Sequence, residues 1–156
     1  MKKSIIVLAV LAVFMVSCVS APKEVPPINL HAIDADLITE SQLVYEAQEG
    51  RECVGWWTQP EDEIHWDFDI VVKGEYTIIA TVACDAEFAG SKIGVSVGGQ
   101  DLEFVMPDTY DWDTYYQVEV GVVRLAPGSY TIVVKGNELM NRFYGNLQSL
   151  ILKKTG

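Results

Sequence analysis

The stretch Ile64-His65-Trp66-Asp67-Phe68-Asp69-Ile70 decides the fold. Apolar residues at 64, 66, 68 and 70 alternate with polar ones at 65, 67 and 69. Successive side chains of an extended chain point to opposite faces, so this segment is a strand with one face in oil and one in water. The same period of two recurs on both sides. Tyr76, Ile78, Ala80, Val82 and Cys84 form one set; Ile93, Val95 and Val97 another; Leu102, Phe104 and Met106 a third. Tyr116, Val118, Val120 and Val122 follow, then Tyr130, Ile132 and Val134, and last Leu150 and Leu152. Lys73-Gly74, Gly98-Gly99, Pro107-Asp108, Pro127-Gly128 and Gly136-Asn137 punctuate the runs. Segment 36–49, with Leu37, Ile38, Leu43, Val44 and Tyr45, reads as two further strands. Many short strands with no sustained 3.6-residue period predict an all-β protein. Two sheets, each with one apolar face, must close on one another, which gives an antiparallel β-sandwich.

A chain of 156 residues fits one such domain with a sizeable core. With 11 basic against 22 acidic residues the net charge is −11, which excludes nucleic acid as a partner because a phosphate backbone needs clustered cations. Two histidines and three cysteines leave little from which to build a nucleophilic or zinc centre. His65 points outward by alternation, and His31 has no second histidine near it.

The N-terminus carries an address. Lys2 and Lys3 precede an uncharged run, Ile5 to Val16, shorter than the about 20 apolar residues of a bilayer span. Met15-Val16-Ser17-Cys18 resembles a bacterial lipobox, with Met15 where leucine is more usual. The resemblance implies a signal peptide over 1–17, cleavage before Cys18 and lipidation of its thiol. Removing Lys2 and Lys3 from the 11 basic residues leaves nine against 22 acidic ones, a net charge of −13. Anionic headgroups would repel such a surface, so membrane attachment would rest on acyl chains, at about 0.8 kcal/mol per buried methylene. Residues 18–29, rich in proline, read as the tether, and 30–156 as the domain. The expected location is the bacterial cell envelope, on the outer membrane or cell surface. Cys53 and Cys84 form either a disulfide, as export permits, or two separate small core residues.

Trp57-x-x-Pro60-x-Asp62-x-Ile64-x-Trp66, Gly74-Glu75-Tyr76, Ala89-Gly90-Ser91, Thr109-x-x-Trp112-x-x-Tyr115 and Gly145-Asn146-Leu147 occur in this order. The pattern, over about residues 30–153, resembles the galactose-binding-like jelly-roll domains, especially carbohydrate-binding modules of the family 6 and 35 type. It is also similar to C-terminal accessory domains of bacterial α-L-fucosidases. The resemblance implies a glycan or oligosaccharide partner bound by loops at one end of the sandwich. It assigns stacking on a pyranose face to Trp112 and hydroxyl contacts to Asn146. It also implies a structural calcium, for which Asp36 matches one ligand position. The other holds Gln148, an amide without charge, so no cofactor is expected.

The residues themselves suggest helpers. An aromatic ring matches the apolar C–H face of a pyranose, and carboxylates accept its hydroxyl protons. Segment 110–116 combines Tyr110, Trp112 and several acids, with Tyr116 assigned to the core. Trp112 either faces a ligand or plugs the end of the sandwich. In Trp56-Trp57 one ring at most enters the core, which leaves Trp56 for the surface. Arg142, Tyr144 and Asn146 supply a guanidinium, an aromatic and an amide, the first suited to a uronic acid carboxylate. Glu61, Asp62, Glu63, Asp67 and Asp69 lie on a turn or an outer face, where charges are solvated, so hydrolysis is not expected. The reading is a lipid-anchored, non-enzymatic carbohydrate-binding domain. The alternative is a structural or protein-interaction lipoprotein of the same fold.

Overall fold

The computed structural model describes residues 24–156. The signal peptide and Cys18 lie outside the described residues. Among the described residues, eleven strands form two antiparallel sheets. One contains, in spatial order, β3 (Val44–Gln48), β4 (Arg51–Gly55), β11 (Asn146–Lys154), β6 (Gly74–Ala83) and β9 (Tyr116–Leu125), with β1 (Ile28–His31) also on β11. The other runs β2 (Asp36–Ile38), β5 (Glu63–Ile70), β10 (Gly128–Glu138), β7 (Lys92–Val97) and β8 (Gln100–Val105). Pairing of Ile28 with Leu152 brings the first sheet residue two positions ahead of the boundary read from sequence.

The inner faces meet along the alternating residues. Ile64, Trp66, Phe68 and Ile70 of β5 and Tyr76, Ile78, Ala80 and Val82 of β6 are all buried in one core cluster. Removing each large side chain from water contributes about 1.5–3 kcal/mol. Trp66 also satisfies its indole N–H, donating to the His31 carbonyl at 2.8 Å.

Strict alternation fails on β9. Ile78 pairs with Gly121, but Ile79 pairs with Glu119, so Val120 is an extra residue. The bulge inverts the phase: Val123 and Leu125 turn inward, and Val122 is exposed. Tyr116 is also outside, 41% exposed, and not in the core as alternation implied. Cys53 and Cys84 are free and separately buried, so the disulfide alternative is set aside.

Candidate functional site

Antiparallel pairing gathers four strand ends at one end of the first sheet. Ala83, closing β6, faces Asn146, opening β11; Val82 faces Tyr116, opening β9; Val54 of β4 faces Leu147. The loops leaving these ends surround a hollow of about 320 Å³. Trp56, Phe88, Trp112 and Phe143 supply its apolar walls, and Glu46, Arg51 and Asn146 its polar lining.

The four rings support one another. Phe143 meets the edges of Trp56 (6.1 Å between centroids), Trp112 (5.8 Å) and Phe88 (5.3 Å). Phe88 and Trp112 lie 5.3 Å apart, tilted by 39°. Trp112 is thus half-buried, gripped by two phenylalanines, and still borders the hollow. Trp56 is 51% exposed, while the next residue, Trp57, is buried. Its φ of 56° is left-handed, a strained conformation for a bulky residue. This twist, directly after β4, puts the first indole at the hollow and the second in the core.

The loop carrying Trp112 is pinned three times. Thr109 exchanges hydrogen bonds with the backbone of Cys84: its N–H donates to the carbonyl at 2.9 Å and its hydroxyl accepts from the amide at 2.8 Å. Arg51 grips both carboxylate oxygens of Asp113 through Nε and Nη2. Asn146 donates its side-chain amide to the Trp112 carbonyl at 3.0 Å. Within the loop, Asp111 accepts from the backbone N–H groups of Asp113 and Thr114, which holds its carboxyl below the usual range. The Arg51 guanidinium likewise holds Asp113 down and is itself raised by it.

Glu46 enters from the neighbouring strand. Its Oε1 and the Asn146 Oδ1 crowd the position a Gly55 side chain would take, at 2.8 and 3.0 Å from an added Cβ. Glycine at 55 lets both reach the hollow. Beneath lies Cys53, whose thiol burial pushes up to about 11.

The expected residues therefore separate. Trp112, Asn146 and Trp56 line one hollow. Asn146 is only 5% exposed and spends one N–H on Trp112, so it positions that loop and keeps Oδ1 as an acceptor. Asp111 and Asp113 are engaged by the loop and by Arg51, not free for hydroxyls. Tyr110 is 74% exposed with φ 76°, but stands beside Tyr116 (6.5 Å) outside the hollow. Arg142 is exposed, its guanidinium 5.2 Å from the Phe143 ring centroid, and does not line the hollow either. Tyr144 is a correction. It is 1% exposed, packed on Trp57 at 5.1 Å and over Gly136, and has no access to a ligand. Glu46, Arg51, Phe88 and Phe143 were not singled out from the sequence. Contacts made only by folding select them, although Phe143 is adjacent to two residues that were.

The two calcium positions that the resemblance implies lie on different strands. Asp36 is on β2 of one sheet and Gln148 on β11 of the other. Among the described residues no three or more His, Cys, Asp or Glu side chains group as a metal site. The candidate hydrolytic carboxylates have structural partners. Asp62 is buried and accepts from Thr39 and Ser41. Asp67 accepts from Thr131, Asp69 from Ser129, and Glu63 pairs with His65.

Sandwich, strand order and loop-end hollow define a galactose-binding-like jelly roll. Similar structures include the family 35 carbohydrate-binding module from Clostridium thermocellum (19% identity, TM-score 0.64, covering 84% of this chain and 100% of that one). A carbohydrate-binding module of lichenase 5A from Cellvibrio mixtus, solved with cellotriose, is 22% identical (TM-score 0.65, covering 83% and 98%). The C-terminal family 6 module of a laminarinase from Zobellia galactanivorans is 19% identical (TM-score 0.65, covering 83% and 100%). Residues 45–156 match the family described as a domain of unknown function (DUF5077), and the chain belongs to that family. No curated protein matches.

Proposed function

We propose that this domain binds carbohydrate without cleaving it, in the hollow bordered by Trp56 and Trp112. One observation carries the reading: two indoles, one exposed and one half-buried, border the same pinned hollow beside the acceptors Glu46 and Asn146 Oδ1, to which no hydrogen bond is donated among the described residues. Exposed aromatic surface beside a few placed polar atoms suits a pyranose, apolar on its face and hydroxylated on its rim. A loop tied to β4, β6 and β11 is ordered before ligand arrives, which lowers the entropic cost of binding.

Binding without hydrolysis follows from the carboxylates. Glycoside cleavage uses two carboxyl groups about 5–10 Å apart, one of them an acid. Glu46 is the one carboxylate lining this hollow, and Asp113 nearby is clamped by Arg51. The neighbours of known binding class, including the one solved with cellotriose, support the same reading. We extend it to location: lipidated Cys18 and a proline-rich tether would hold the domain at the bacterial cell envelope, and metabolic labelling with a palmitate analogue should mark wild type and not Cys18→Ala. On a glycan array Trp112→Ala should lose binding with its melting temperature kept within a few degrees. A wild-type chain that captures no glycan would leave the scaffold alternative in its place.

A further inference from the structure

We infer that the hollow takes neutral and amino sugars and turns away uronic acids, with Glu46 as the residue that decides. The inference rests on the carbohydrate-binding reading and adds the charge class of the ligand. Arg51 is the one cation lining the hollow, and it is already spent. Its Nε and Nη2 hold Asp113, and its Nη1 faces Glu46 at 3.7 Å. Two carboxylates thus surround one guanidinium, so the local charge is negative.

The charged group left without a hydrogen bond in the lining is an acceptor. Asn146 has used one N–H on Trp112 and keeps the other together with Oδ1. The Glu46 side chain is 14% exposed, and among the described residues no N–H or O–H donates to its carboxylate. A mostly buried carboxylate without a donor is costly to leave so, and a ligand O–H or ammonium would complete it. A sugar carboxylate would instead meet like charge and no free cation among the lining residues. Arg142, on the Phe143 ring, does not offset this, since it lies outside the lining.

The test is calorimetric titration of the full protein with glucosamine, glucose and glucuronate, and with the three galacto counterparts. We expect the amino sugar to bind about fivefold or more tighter than the uronate of the same configuration, with the neutral sugar between. Raising salt from about 0.05 to about 0.5 M should shrink that ratio, because screening weakens charge contacts near the surface. Glu46→Gln, which keeps the size and one acceptor oxygen, should bring amino sugar and uronate within about twofold. Should that variant fail to fold, the wild-type ratio still decides. Uronate binding as tight as the amino sugar overturns the inference and leaves carbohydrate binding intact. So does uronate binding that vanishes in Arg142→Gln. No binding by any of the six sugars overturns both.

Discussion

Asn146 and Trp112 are 34 residues apart and joined by one hydrogen bond, from the Asn146 amide to the Trp112 carbonyl at 3.0 Å. The first residue of β11 thereby fixes the loop that bears the indole. Asn146→Asp removes the donor and nearly preserves shape. It should cost about 1 kcal/mol or more of stability, the scale for a buried hydrogen bond left unmade, and should weaken sugar binding while Trp112 is still present. Chemical denaturation and a binding titration on the same sample check this. Binding unchanged in Asn146→Asp would free Trp112 from this restraint.

The Arg51–Asp113 clamp acts on the same loop from β4. Both side chains are partly exposed, so its contribution to stability should be small, about 1 kcal/mol or less by double-mutant cycle. Its effect on binding should be larger than its effect on stability, because it orients the loop without holding the core. The Asp113 carboxyl sits below its ordinary range owing to Arg51. The pair's contribution is therefore present above the unfolded carboxylate value of about 3.9 and is lost as pH falls through the lower folded value. Asp113→Asn should flatten that acid limb of the stability profile.

Tyr144 lies over Gly136. A Cβ at 136 would stand 2.2 Å from the ring. Both flanks are rigid, so Gly136→Ala should destabilise by about 1–3 kcal/mol or more, as overpacked cores do. Tyr144→Leu in the Gly136→Ala background should recover part of the loss. Equal melting temperatures for wild type and Gly136→Ala would contradict the packing described.

The two thiols give a prediction at the alkaline end. Burial pushes Cys53 up to about 11 and Cys84 up to about 12. Each folded value exceeds the unfolded value of about 8.5, so the unfolded chain releases its protons first. Stability from this source is complete below about pH 8.5 and declines as pH rises through the folded values. Neither thiol should react with an aromatic disulfide reagent at pH 8 in the native domain, and both should react after unfolding. Rapid native labelling of either one would contradict their burial.

Much of the sandwich was legible because its information is local. Residues 64–70 state their two faces outright, and β6 does the same. Segment 36–49 resolved as two strands, as its apolar residues suggested. Val122 was misplaced because the bulge at Val120 shifts the phase of β9, and a bulge is settled by the partner strand; Tyr116 shares the phase of Val118 and Val120 but opens the strand and is exposed there. Trp56 reaches the surface as expected, but through its left-handed φ directly after β4 and not through strand alternation. Tyr144 looked like a rim residue because it stands between Arg142 and Asn146; its inward turn depends on the space that Gly136 leaves. Glu46 and Phe88 carry no local mark. Sheet pairing and loop closure bring them to the hollow from 66 and 24 residues before Trp112.

The most direct measurement is calorimetric titration of the domain with a panel of oligosaccharides, run on wild type and on Trp56→Ala/Trp112→Ala. Wild type should bind at least one of them weakly and saturably, and the double variant should show at least about a tenfold loss while it still unfolds cooperatively. Equal affinity in the two proteins would contradict the placement of a sugar between these indoles.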